Sequence, residues 1–256
     1  MTRLSGDTLT VRRGGRAILD RVTLSYEGGA FVAVIGANGA GKSTLLSALA
    51  GLLQPDEGEV RLDGQPLGRI KRSDLARRRA YLPQNPRCEW PLPVERLVAL
   101  GLTPSLPAFG GLPPAILDKV DRALQACDLT GHRQQPTATL SGGELARAML
   151  ARALVGDPDI LIVDEPITGL DPRHALDTMR RLAGLAAQGK LVIASAHDLT
   201  LAARFSTHVL ALSRGQAVAS GPTAATLTAD LLRQLFEVDA VVTGVGPEVI
   251  VDFRTP

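Results

Sequence analysis

The sequence predicts an α/β fold: an open sheet around a phosphate-binding loop, an antiparallel β region ahead of it, and an inserted helical segment. Three observations carry this. A short apolar, partly β-branched run, Phe31 to Ile35, ends at Gly36, and a helical run from Lys42 to Gly51 follows. A second apolar run, Ile160 to Val163, ends on two adjacent carboxylates. Between them, from about Pro86 to Pro158, strand signals vanish. The 256 residues are enough for one large domain, 1–256, with 86–158 as a helical subdomain inserted in it.

Each element has its own local signal. Leu9 to Glu27 alternates apolar and polar residues around Gly14-Gly15, an antiparallel hairpin. Glu59-Val60-Arg61-Leu62 before Asp63-Gly64 is a strand and turn, and Arg72 to Arg79 has a helical composition. Val94 to Leu100, Ala115 to Cys127 and Gly143 to Val155 read as the helices of the insert, with Pro104, Pro107, Pro113 and Pro114 marking a loop inside it. His174 to Ala187 is helical and Leu191 to Ser195 returns to strand. Val209 to Leu212 and Ala217 to Ala219 flank Arg214-Gly215 as a hairpin. Leu227 to Phe236 is a helix, and the tail ends in a short strand, Val249 to Val251.

The chemistry sits where strands end. Gly36-Ala37-Asn38-Gly39-Ala40-Gly41-Lys42-Ser43 lies between strand and helix, the context that makes a Gly-x-x-x-x-Gly-Lys-Ser pattern a P-loop and the core a P-loop NTPase core. Lys42 suits the β- and γ-phosphates, the Ser43 hydroxyl suits Mg²⁺, and Thr44 adds a phosphate contact. Asp164 suits the same Mg²⁺, directly or through water, and Glu165 suits a general base or a group orienting the attacking water. A lone Asp-Glu pair reads as a solvated turn. Four preceding apolar residues and an upstream P-loop argue against that here. Leu140-Ser141-Gly142-Gly143-Glu144 opens a helix with exposed backbone N–H groups, which favour anions. It has no evident work on the same nucleotide, so the simplest reading is that it binds phosphates held by a second copy.

With these motifs in this order, the chain resembles an ATP-binding-cassette (ABC) ATPase, the nucleotide-binding subunit of an ABC transporter, over nearly its whole length. The resemblance implies further roles. Gln84, in Tyr81-Leu82-Pro83-Gln84, matches the Q-loop glutamine that touches Mg²⁺ and the attacking water. Asp171, in Gly169-Leu170-Asp171, matches the D-loop of the dimer interface. His197, in Ala196-His197-Asp198, matches the switch histidine at the γ-phosphate. Two departures stand out. Glu144 takes the place of a frequent glutamine, a common variant. The stretch Val11-Arg12-Arg13-Gly14-Gly15-Arg16 lacks the usual aromatic that stacks on adenine. Either the Arg13 guanidinium plane lies against the base, or Arg12 and Arg13 are surface charges.

The function implied is ATP hydrolysis, with ATP and Mg²⁺, by a head-to-tail dimer that drives separate integral membrane permease subunits and, through them, a solute-binding protein. A single cassette without membrane helices fits an importer. Ser73-Asp74-Leu75-Ala76-Arg77-Arg78-Arg79, Val94 to Gly101 and the short tail near Pro256 are similar to the iron–siderophore, haem and cobalamin uptake group. Zinc or manganese importers are the alternative. Trp90, in Glu89-Trp90-Pro91-Leu92-Pro93, is either an anchor at the permease groove or part of the insert's own core.

Composition agrees. With 28 basic and 26 acidic residues, no nucleic-acid-binding tail is expected. No signal peptide opens the chain, and no apolar run approaches the ~20 residues of a membrane helix. The expected place is the cytoplasmic face of the cell membrane, reached through the permease. Cys88 and Cys127 have no metal-ligand spacing and are expected as free thiols. Soluble ABC ATPases of repair or translation would need coiled coils, zinc modules or a second cassette, and a non-hydrolysing module would not need Glu165 and His197.

Overall fold

A computed structural model of the chain describes residues 1–84, 88, 90–105, 114–244 and 246–254, the side chains at 104, 105, 114, 115 and 247 excepted. Glu89, Pro107, Pro113 and the expected start of the insert at 86 lie outside the described residues.

The chain opens with a long hairpin, β1 (Arg3–Arg13) and β2 (Arg16–Glu27), turning at Gly14-Gly15. It begins earlier than the alternation from Leu9 suggests. Thr8 adopts a left-handed backbone (φ 47°), and the register shifts between Gly6 and Leu9, which hides the first half of the strand from a period-two reading. β3 (Phe31–Ile35) runs into α1 (Lys42–Leu49). β4 (Glu57–Leu62) and the two-residue β5 (Gln65–Pro66) join β1 and β2 in an antiparallel sheet, ordered β2-β1-β4-β5.

α2 (Arg72–Arg78) hands over directly to β6 (Arg79–Leu82), a half-buried edge strand where the sequence suggests only helix and loop. α3 (Val94–Ala99), α4 (Pro114–Ala126) and α5 (Gly142–Leu154) follow before the chain returns as β7 (Ile160–Val163), the parallel neighbour of β6. Then come α6 (Pro172–Ala187), β8 (Leu191–Ser195), α7 (Leu199–Phe205), β9 (His208–Ser213) and β10 (Gln216–Pro222). The central sheet is ordered β10-β9-β3-β8-β7-β6, parallel except for β10.

The expected helix over 227–236 is α9 (Ala229–Phe236), opened by Thr228, whose side chain accepts from Leu231 N (3.2 Å); a short helix outside that range, α8 (Thr223–Thr226), precedes it. The tail strand is β12 (Ile250–Arg254), paired with β11 (Asp239–Thr243), which the sequence reading lacks.

Three apolar layers hold the sheet. Alternation along each strand divides them: Ile160, Ile162, Leu191 and Ile193 face α1 and the antiparallel sheet, while Leu161, Val163, Val192 and Ala194 face α6 and the cluster shared with α3, α4 and α5. A third layer packs Ile35, Val209 and Ala211 against α7, α9 and β11. All five side chains of β3 are buried, as are those of β7 and β8. Each fully buried large aliphatic contributes roughly 1.5–3 kcal/mol relative to exposure. The carboxyl ends of β3, β7 and β8 are thereby fixed side by side, where open α/β sheets bind ligands.

Candidate functional site

The loop after β3 folds around its own lysine. Lys42 Nζ donates to Gly36 O (2.8 Å) and Ala37 O (3.2 Å), and the side chain is buried. Burial lowers its pKa, and the carboxylates of Glu165 and Asp164 act in the opposite direction. Gly36 and Gly41 are required by geometry. Both have positive φ (149° and 105°), and a Cβ would meet Leu212 O at 2.2 Å and Ile18 O at 2.8 Å. Gly41 is also the N-cap of α1 and offers no side-chain cap. Ala37, Asn38 and Gly39 are exposed at the loop crest, with Gly41 and Ala40 buried beneath; Ser43 is exposed and Thr44 half-buried.

β7 delivers the two carboxylates. Asp164 is buried and its Oδ1 accepts from Ser195 Oγ (2.6 Å). Glu165 has a left-handed backbone (φ 50°), and its N–H donates to the same Ser195 oxygen (2.8 Å). Its carboxylate collects three side chains: Gln84 Nε2 (2.6 Å) and Thr168 Oγ1 (2.8 Å) donate to Oε2, and His197 Nε2 lies 2.6 Å from Oε1. Burial alone would raise the Glu165 pKa, but the bonds from Thr168, His197 and Gln84 outweigh it and lower the pKa. Gln84, Glu165 and His197, 81 and 32 residues apart, thus meet at one carboxylate.

Ser141 caps α5. Its Oγ accepts from Glu144 N (3.3 Å), and Glu144 Oε2 accepts from Ser141 N (2.8 Å), a reciprocal capping box. These bonds, the one from the Ser141 backbone foremost, lower the Glu144 pKa. Gly142 and Gly143 follow in the first turn and line a cleft of about 660 Å³ between α5 and α6 that also reaches Asp164 and Glu165. No residue of Gly36–Thr44 lines this cleft. Asp171 caps α6, accepting from His174 N (3.0 Å), and its other oxygen pairs with His174 Nδ1 (2.6 Å).

The remaining residues fall apart from this centre. The Arg12 guanidinium lies 3.7 Å from Glu57 as a surface pair, while Arg13 faces Arg16 across the hairpin end. Trp90 is 70 % exposed, so it does not pack into a core of the helical insert. Cys88 and Cys127 are free, and burial pushes the Cys127 thiol up to about 11. Sequence reasoning missed Ser195, Thr168 and His174. For Ser195 a signal exists: it is the one hydroxyl in the otherwise apolar strand Leu191 to Ser195, two residues before His197.

Residues 19–168 match the family model described as ABC transporter. The chain is 42% identical over 232 residues to the hemin import ATP-binding protein HmuV of Nocardia farcinica, covering 88% of this chain and 79% of that protein. It is 41% identical over 240 residues to the protein of the same name from Bradyrhizobium diazoefficiens, covering 90% and 87%. Among solved structures it is similar to a dimeric ATP-binding cassette in a post-hydrolysis state bound to ADP and Pi, with a TM-score of 0.76 and 26% identity over 86% of this chain and 98% of that one.

Proposed function

The chain belongs to the ABC transporter family and is an ATP-hydrolysing importer subunit, and from that premise we propose that it powers uptake of a metal chelate of the hemin type through a separate permease. The cargo reading is supported by the names of the relatives, which share about two residues in five with this chain over most of its length. The chemistry rests on one observation above all, the meeting of Gln84, Thr168 and His197 at the Glu165 carboxylate beside the P-loop.

In this reading the amides and glycines of Gly36 to Thr44 cradle the phosphates, and Lys42 offsets the charge on the β- and γ-oxygens. Arg13 lies at the base. Glu165 orients water and accepts its proton as the new P–O bond forms and the bond to ADP breaks. His197 reports on the γ-phosphate. Mg²⁺ fits the oxygen donors available: the Ser43 hydroxyl, the Asp164 carboxylate and the Gln84 carbonyl, whose amide nitrogen is already committed to Glu165. Among the described residues no three His, Cys, Asp or Glu side chains group into a cage. Mg²⁺ takes a few protein oxygens and completes its shell with phosphate and water. When bound, the ion neutralises charge on the phosphate oxygens.

Ser141, Gly142, Gly143 and Glu144 serve a nucleotide held by a second copy, and Asp171 lies at the same interface. The cleft beside the signature excludes the P-loop of its own chain, which supports that division. No described helix is long and apolar enough to cross a membrane. In this reading membrane attachment runs through the permease, at the cytoplasmic face. The insert, 86–158, and the exposed Trp90 form the permease-facing side. The experiment for the catalytic reading is Glu165→Gln. It retains ATP binding, loses turnover by about 10²-fold or more, and accumulates an ATP-dependent dimer on size exclusion. Near-native phosphate release would remove Glu165 from the role.

A further inference from the structure

We propose that Ser195 is a positioning residue for both carboxylates of the site, setting the direction of Asp164 and the backbone of Glu165 at once. A hydroxyl has one proton and two acceptor sites. Here the proton goes to Asp164 Oδ1 (2.6 Å), and an acceptor site takes the N–H of Glu165 (2.8 Å). The Ser195 side chain is completely buried, so its hydroxyl has no water to turn to instead.

The register explains why one residue reaches both. β7 and β8 are parallel neighbours with Val163 opposite Ala194. The next residues, Asp164 just past the end of β7 and Ser195 at the last position of β8, therefore lie side by side. Glu165 then turns into the left-handed region, φ 50°, which a non-glycine side chain adopts only when its surroundings hold it there. The Ser195 hydroxyl is the side-chain acceptor for its N–H, so it holds the turn that aims the carboxylate at Gln84, Thr168 and His197. Ser195 also sits two residues before His197, and its successor Ala196 is pinned by its N–H to Val34 O (3.0 Å). One hydroxyl thus joins the strand end carrying the carboxylates to the strand end carrying the histidine. Outer groups of this kind orient the residues that meet a metal, and their loss weakens metal binding as well as turnover.

The inference rests on the reading of Asp164 as the carboxylate on the Mg²⁺ side and Glu165 as the base. Its test measures affinity for a fluorescent ATP analogue in EDTA and in excess Mg²⁺, a readout that needs no turnover, alongside the Mg²⁺ concentration for half-maximal ATPase activity. Ser195→Ala is expected to leave affinity in EDTA within about twofold, while the Mg²⁺ requirement rises and kcat falls by about tenfold or more. Ser195→Thr keeps the hydroxyl and is expected to restore most of both. If the alanine variant does not fold, Ser195→Cys, of similar volume but a weak donor, carries the same measurement. Native Mg²⁺ dependence in a folded alanine or cysteine variant overturns the proposal. So does a folded threonine variant that restores nothing. Asp164→Asn and Glu165→Gln run in parallel: if they lose Mg²⁺ dependence and turnover while Ser195→Ala loses neither, only this inference fails. If they keep both, the reading of the carboxylates beneath it fails.

Discussion

The two glycine-flanked helix starts, at α1 and α5, solve the same electrostatic problem in opposite ways. Each leaves unpaired backbone N–H groups and a partial positive charge. At α1 the N-cap is Gly41, left-handed, with no side chain to accept from the first turn. The loop before it is curled around the buried Lys42. In the proposed function those donors are kept for a nucleotide of the same chain. At α5 the chain caps itself: Ser141 and Glu144 bond reciprocally, and Glu144 sets a carboxylate at the positive end. A cap of this sort contributes about 0.5–2 kcal/mol. One start cannot be fully satisfied without its ligand. The other caps one of its own helix donors, the Glu144 N–H, and presents Ser141 and Gly142 outward. That is the arrangement expected of a segment that meets a nucleotide only when a second copy brings one.

The comparison breaks most visibly with Lys42→Ala and Ser141→Arg. Lys42→Ala is expected to weaken nucleotide binding on the order of tenfold or more, as loss of a bond to a charged group contributing about 1.5–3 kcal/mol would. Ser141→Arg is expected to abolish turnover yet leave binding to the isolated chain within about twofold, since the change is confined to an exposed cap. Titration with a fluorescent nucleotide separates them, and equal loss of affinity would end the distinction.

A second measurement tests whether the insert's side also faces a partner. Trp90→Ala, at a 70 % exposed site, is expected to change folding stability by less than about 0.5 kcal/mol and leave basal ATPase activity intact. In complex with a permease, uptake of the proposed cargo, hemin, into vesicles is expected to fall. A large loss of melting temperature, or native uptake, would contradict the surface assignment.

The smallest effect belongs to Glu144→Gln, which keeps the cap and removes the charge. A partly exposed charge of this kind is worth about 0.2–1 kcal/mol. ATP-driven association of the Glu165→Gln protein is therefore expected at up to about fivefold lower ATP, read by light scattering. The acid limb gives the sign independently. Hydrogen bonds from Ser141 depress the Glu144 pKa, so its contribution to stability is present above the pKa of the unfolded chain and lost as pH falls through the folded value. The glutamine variant lacks that component. Its melting temperature should fall less steeply than the native protein's below the ordinary carboxylate range near 4.5.

Much of this was legible in the residues because the signals are local. The P-loop glycines sit on one turn, the Ser141 cap and Glu144 are three residues apart, and β3, β7 and β8 are continuous apolar runs of parallel-sheet type. Readings failed where local pattern and final environment part company. β6 is an edge strand carrying Arg79 and Tyr81, so no buried run announces it. The short helix α8, with four residues, is too brief to carry a helical period. β11 is recognisable only through its partner β12.

The sequence by itself determined the order of the motifs, the strand–loop–helix that shapes the phosphate cradle, and the cap that opens α5. Each depends on residues within a few positions of one another, where backbone geometry leaves little choice. The packing of the sheet alone brings Gln84 and His197 to the Glu165 carboxylate and lets one hydroxyl, that of Ser195, meet both Asp164 and the Glu165 N–H. Those bonds join residues 30 to 81 positions apart, and a bond of that span exists only once parallel strands are packed in register. The register in turn is set by apolar side chains that alternate between two buried faces, which no single segment of the chain contains.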